Sequence, residues 1–92
     1  MIAGKFLNLE TSATGTEFVA FADVKCHALN VLNLTGTSLT FQYVNDDDET
    51  DFVLPHGMAY AFRGLNNANQ LKVKRTDESD AQVTMKTVEA TL

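Results

Sequence analysis

Tryptophan is absent from this 92-residue chain, and proline and cysteine occur once each. A single cysteine, Cys26, excludes an intramolecular disulfide framework and any zinc site built from several cysteines. No apolar run approaches the ~18 residues of a membrane-spanning helix, so we expect a protein that does not enter a membrane. The first residues lack a basic segment followed by an apolar one, which argues against a secretory signal. The length suits one unit, and we expect residues 1–92 to form a single domain.

The charge is unevenly distributed along the chain. The net charge is −5, and five acids fall within six residues in a segment that we call the acidic loop, Asp46–Asp51. The seven remaining acids balance the seven lysines and arginines. The only local group of bases consists of Arg63, Lys72, Lys74 and Arg75. Nucleic-acid binding requires a basic patch that outweighs such an acidic loop, so we expect no nucleic-acid partner.

Alternation of apolar and polar residues with a period of two dominates the sequence. It predicts strands over 38–44, 58–63, 70–75 and 82–88, with others near 4–9, 17–22, 24–34 and 51–54. The strand within 24–34 is apolar on both faces and is expected to be central. Eight valines and eleven threonines agree with strands. About eight short strands with frequent polar turns predict an all-β fold, a single small antiparallel β-sandwich or barrel that is immunoglobulin-like or jelly-roll-like.

The alternation also predicts which side chains share the core. The expected members occupy the apolar face of their own strands: Leu39, Phe41, Met58, Tyr60, Phe62, Leu71, Val73, Val83 and Met85.

Residue types that carry chemistry are present, but they do not form recognisable sites. Cys26 and His27 are neighbours on an expected strand, so their side chains should diverge instead of forming a nucleophilic pair. The two histidines and the one cysteine do not have the spacing of metal ligands. The sequence contains no glycine-rich loop of the kind that binds phosphate. We therefore expect no cofactor, no metal and no enzymatic activity. Asn33-Leu34-Thr35 matches the glycosylation tripeptide, which matters only in a secreted eukaryotic protein.

Two alternatives remain open at this point. The acidic loop fails the EF-hand pattern, because Thr50 and Gly57 occupy its fifth and twelfth positions. An irregular calcium site and a solvated loop are both compatible with the sequence. Tyr43, Tyr60 and Phe62 could form a platform that stacks on carbohydrate, although aromatic residues at strand spacing more often belong to the core.

Three segments between residues 24 and 88 carry a resemblance. They are the hairpin of residues 31–39, the Pro-x-Gly turn and aromatic strand of residues 54–65, and the Asn-Ala-Asn-Gln-Leu segment with the basic strand that follows it, residues 67–77. Residues 82–84 fit the same pattern. The chain resembles small all-β structural proteins of tailed bacteriophages that decorate or cement a capsid. The acidic loop lies outside the shared pattern.

The resemblance implies a non-enzymatic virion protein, made in the cytoplasm of the host bacterium, that stabilises the capsid lattice in many copies. Its expected partners are the major capsid protein or another virion protein, and further copies of itself in a dimer or trimer. The alternative is a tail-associated or fibre-associated module that binds glycans of the host surface. A small hydrolase is disfavoured, since no nucleophile–base pair is visible. The candidate interface consists of Asp46, Asp47, Asp48, Arg63, Lys72, Lys74 and Arg75.

Overall fold

Eight strands account for the regular structure of the computed structural model, which describes residues 4–92. The strands are β1 (Gly4–Glu10), β2 (Val19–Ala20), β3 (Ala28–Leu32), β4 (Leu39–Tyr43), β5 (Phe52–Leu54), β6 (Ala59–Arg63), β7 (Leu71–Arg75) and β8 (Thr84–Thr91). One 3-10 turn, Ala68–Gln70, precedes β7. The described residues contain no helix long and apolar enough to cross a bilayer.

The strands form two antiparallel sheets of four. The first sheet has the order β1-β8-β3-β6, and the second has the order β2-β7-β4-β5. The prediction of an all-β sandwich is confirmed, and the two separate sheets exclude the barrel alternative. β3 is central, as its apolar pattern predicts, with β8 on one side and β6 on the other. Its paired part is shorter than the apolar stretch 24–34.

The core lies between the sheets and contains most of the predicted residues. Six of the nine are buried, namely Leu39, Phe41, Phe62, Leu71, Val73 and Met85. Val83 is partly buried against this core. The first sheet adds further core residues that the alternation did not single out, Leu7, Leu9, Leu29, Val31, Val88 and Ala90.

The prediction that Met58 and Tyr60 belong to the core is wrong, because their exposed fractions are 55% and 46%. Met58 lies in the turn before β6. Tyr60 shares a side of β6 with buried Phe62, but β6 is an edge strand with nothing beyond it. Its ring therefore covers the margin of the core, against Phe52 at 4.4 Å between ring centroids.

A β-bulge in β8 determines which of its residues face the core. Leu7 pairs with Val88 and Leu9 pairs with Met85, so two steps along β1 correspond to three along β8. The extra residue lets both Met85 and Val88 point inward. Simple alternation from Met85 would have placed Val88 on the solvent side.

Asn33 is a buried polar residue that fixes the turn after β3. Its side-chain amide nitrogen donates to the carbonyls of Thr37 and Leu54, at 2.9 and 2.8 Å. Its side-chain oxygen accepts from the backbone N–H and the hydroxyl of Thr35, at 3.0 and 2.7 Å. Gly36, with φ of 89°, completes this turn in the left-handed region. The asparagine of the glycosylation tripeptide is therefore enclosed by protein and unavailable for modification.

Candidate functional site

The acidic loop is ordered by its own hydrogen bonds. The two carboxylate oxygens of Asp46 accept from the backbone N–H groups of Asp48 and Thr50, at 3.0 and 3.1 Å. These hydrogen bonds lower the pKa of Asp46. Glu49 adopts a left-handed φ of 49° within the loop. Within residues 4–92, no group of three or more His, Cys, Asp or Glu side chains is placed to hold a metal ion. The loop is thus held in its conformation by hydrogen bonds within its own residues.

The basic residues of β7 are already engaged. Lys72 and Lys74 project from the outer face of the second sheet, and both ammonium groups lie over the ring of Phe18, at 4.8 and 5.0 Å. Lys74 also pairs with Glu78 at 3.1 Å. Both lysines therefore keep their charge near the sheet surface instead of extending into solvent.

Arg75 braces the turn between β7 and β8. Its guanidinium donates to both carboxylate oxygens of Asp77, at 2.9 and 2.7 Å, and to the carbonyl of Ala81 at 2.9 Å. The hydrogen bonds from Arg75 are the main reason that the pKa of Asp77 is lowered. This arginine has a structural role, and its donors are largely used within the chain.

The seven candidate interface residues belong to strands and loops of both sheets. Gln42 separates Lys72 from the acidic loop: it pairs with Lys72 in register, and its side-chain amide donates to Asp51 and to the carbonyl of Glu49. Acids and lysines thus lie on adjacent parts of the second sheet. Arg63 lies on β6 of the first sheet, where it pairs with Ala28. The bases of β7 belong to the second sheet.

Cys26 and His27 point to opposite sides, which confirms the predicted divergence. Cys26 is buried in the core and His27 is exposed. Burial raises the pKa of the Cys26 thiol, so the reactive thiolate is disfavoured at neutral pH.

We expect Cys26 to be unreactive in the folded protein. Iodoacetamide at neutral pH should alkylate it far more slowly than after unfolding in guanidinium chloride, because the thiol is both protonated and enclosed. Mass spectrometry of timed samples measures both rates. Equal rates in the two states would contradict the buried, inert role, and Cys26→Ala should leave binding activity intact.

The outer face of the first sheet carries a shallow apolar groove that the sequence interpretation missed. Its volume is about 510 Å³, and its lining is mostly apolar with two charged residues: Phe6, Val31, Leu32, Ala59, Tyr60 and Ala61, together with Asn30, Thr87, Lys86 and Glu89. Phe6 is 73% exposed. Exposed apolar patches on small proteins often mark contact surfaces. One signal was available: Leu7 and Leu9 define the inward face of β1, so Phe6, which directly precedes Leu7, had to face outward.

A second exposed feature, which we call the aromatic seam, lies where the edge strands β5 and β6 approach each other. The rings of Tyr43, Phe52 and Tyr60 surround buried Phe62, at centroid distances of 6.2, 5.4 and 4.9 Å. Tyr43 is 37% exposed, and its hydroxyl donates to the carbonyl of Arg63 at 3.1 Å. Burial and the neighbouring Tyr60 raise the pKa of Tyr43. Of the three residues considered for carbohydrate stacking, Phe62 belongs to the core and the two tyrosines are accessible.

Comparison with known proteins adds no relative. No family model matches the chain, and neither the curated proteins nor the solved structures contain a significant match.

Proposed function

We propose that this chain is a non-enzymatic structural protein of a virion, a decoration or cement protein that binds the capsid lattice in many copies. The observation that carries the proposal is the apolar groove on the outer face of the first sheet, with Phe6 largely exposed. A small sandwich with such a face is suited to bind through a surface. The resemblance to phage decoration proteins supplies the class of partner, the major capsid protein or another virion protein.

The groove and the acidic loop have different expected roles in binding, because one is mainly apolar and the other is charged. The groove supplies contact area, since burying apolar surface gives roughly 25 cal/mol per Å² before the costs of association. Exposed ion pairs contribute only ~0–1 kcal/mol each, so the acidic loop mainly orients the approaching partner. A dimer or trimer of the chain would match a symmetry axis of a capsid.

We expect the acidic loop to govern the rate of assembly more than its final affinity. Raising the ionic strength from low to physiological should slow association, because the Debye length shrinks from ~30 to ~8 Å. Changing Asp46, Asp47 and Asp48 to Asn should reproduce the slow rate at low salt. Because Asp46 also orders the loop, the double change at Asp47 and Asp48 separates charge from structure.

Stopped-flow or surface-based kinetics on purified capsids measures this effect. The control with the same change of charge is Glu17→Gln with Asp23→Asn, two exposed acids outside the loop. This control should associate at nearly the wild-type rate. A wild-type rate and salt dependence in the double Asn variant would mean that the loop has no role in steering.

The decisive experiment for the proposed function is quantitative mass spectrometry of purified virions produced by the cells that encode this chain. We expect the chain in stoichiometric amounts relative to the major capsid protein. Phe6→Ser should fold, since Phe6 is exposed, but should fail to co-purify with the capsid. A chain that is absent from the virions would overturn the proposal.

A second candidate is a tail-associated or fibre-associated module that binds a host-surface glycan. The half-exposed rings of Tyr43 and Tyr60 favour it, since aromatic faces are a common contact for sugars. A glycan array with the wild-type domain and Tyr60→Ala separates the two candidates. Binding to a glycan that the variant loses would favour this second function, and the absence of any glycan binding would favour the capsid role.

A further inference from the structure

β6 presents unpaired backbone groups along one side. It is one of the two edge strands of the first sheet, and among the strands of residues 4–92 it pairs only with β3. The N–H of Asn33 donates to the carbonyl of Met58 at 2.9 Å, so the carbonyl of Met58 points to the β3 side of β6. The register continues in steps of two, so Tyr60 and Phe62 also direct their backbone groups to β3. Those of Ala59, Ala61 and Arg63 therefore point to the open side.

Tyr43 gives independent support for this assignment. Its hydroxyl reaches the carbonyl of Arg63 from the second sheet, at 3.1 Å. That carbonyl is accessible only if it points away from β3. At this end of β6, a side chain of the protein already occupies one of the open positions.

The other edges are better protected against pairing. β2 has two residues, and β5 has three, between Asp51 and Pro55. β1 carries Lys5 and Glu10. Charges, proline and shortness are the usual means of blocking an exposed edge. β6 has five residues in regular register, no proline, and no charge before Arg63 at its end.

The surroundings of β6 suit an added strand. The groove of the first sheet borders it on the outer face, through Ala59 and Ala61. A second cleft, of about 320 Å³, is lined by Tyr43, Tyr60, Ala61 and Arg63. Side chains of an extended segment alternate between two faces, so one set would enter the groove and the other would cover the aromatic seam.

The charges near one end of β6 indicate which residue types a bound segment should carry. Another cleft of about 320 Å³ joins Tyr43, Phe52 and Phe62 of the aromatic seam to Asp46 and Thr50 of the acidic loop. Neither of the ion pairs found within residues 4–92 involves an acid of this loop. The five acids of the loop outnumber the single base Arg63 at the end of β6, so a lysine or arginine on the bound segment would complement this region.

We propose that the open edge of β6 binds an extended segment of a partner protein by strand addition, with apolar side chains at alternate positions and a basic residue beside the acidic loop. The added backbone hydrogen bonds supply affinity, and the groove and aromatic seam select the side chains. The inference concerns the mode of binding and stands whether or not the partner belongs to a virion.

Selection from a displayed library of random nine-residue peptides on the wild-type domain tests this site. The enriched peptides should alternate apolar residues and carry Lys or Arg near one end. Ala61→Pro should weaken their binding by at least about tenfold, because proline removes an outward N–H. The comparison variant, Ala61→Ser, keeps that N–H and should weaken binding much less than Ala61→Pro.

Amide hydrogen exchange on the wild-type domain gives a second readout that needs no variant. Adding an enriched peptide should protect the N–H groups of Ala59 and Ala61, with no change along β1. The proposal is overturned if no peptide is enriched, if folded Ala61→Pro binds equally well, or if protection appears on another edge. It is also overturned if the domain alone forms a dimer that Ala61→Pro dissociates, since a second copy would then occupy this edge.

Discussion

Replacing Phe62 with alanine is expected to lower the free energy of unfolding by about 3–5 kcal/mol. Phe62 is almost fully buried, and its ring is the common neighbour of four others. Phe41 packs on it from the second sheet at 4.7 Å between centroids. The variant therefore removes the contact that joins the two sheets, and small domains have only ~5–15 kcal/mol in total.

Urea denaturation followed by fluorescence or circular dichroism measures this loss. Phe41→Ala should show a similar decrease, because Phe41 is equally buried. The matched control is Phe6→Ala, which removes the same side chain from an exposed position and should change stability by less than about 1 kcal/mol. Unchanged midpoints for both Phe41→Ala and Phe62→Ala would show that the strand register is wrong.

Asn33→Ala is expected to cost about 2–4 kcal/mol, although it removes little apolar area. The side chain of Asn33 makes four hydrogen bonds, and its loss leaves backbone groups of Thr35, Thr37 and Leu54 without that partner. Buried polar groups that lose a partner cost ~1–3 kcal/mol each, partly recovered where water enters. The loss reaches the end of β5 as well as the turn itself.

Thermal unfolding and amide exchange together check this effect. Asn69→Ala, at an exposed asparagine in the 3-10 turn, is the control and should be close to neutral. In Asn33→Ala, exchange should increase in the turn before β4 and near Leu54, ahead of the rest of the molecule. A variant as stable as the control would mean that Asn33 has no role in holding the turn.

The sequence was sufficient to identify the class of fold, because alternation reports which face of a strand is apolar. β4 and β7 lie within one residue of their predicted ends, and their inward residues are the expected ones. The alternation does not show whether another part of the protein covers the apolar face of a strand. Tyr60 has the right parity but lies on an edge, which depends on strand order set by distant parts of the chain.

The candidate site was harder to predict from the sequence than the fold, for the same reason. The sheet to which a base belongs depends on strand order, and Arg63 and Lys72 lie on strands of different sheets. The ion pairs of Arg75 depend on the turn that follows β7. Phe6 could have been identified as an exposed aromatic, because it directly precedes Leu7 on a strand whose inward residues are Leu7 and Leu9.

The place of β8 within the first sheet has a consequence for the order of folding during synthesis. β8 is the last of the eight described strands to be made, yet it lies between β1 and β3 and pairs with both. All strands of the second sheet have been made once Arg75 is added. β1 must therefore wait, with its apolar side chains unprotected, until nearly the whole domain has been translated at roughly 5–20 residues per second. Closure of such distant pairings is typical of β-proteins that fold on the order of milliseconds to seconds, and it makes the nascent chain a target for chaperones before β8 emerges.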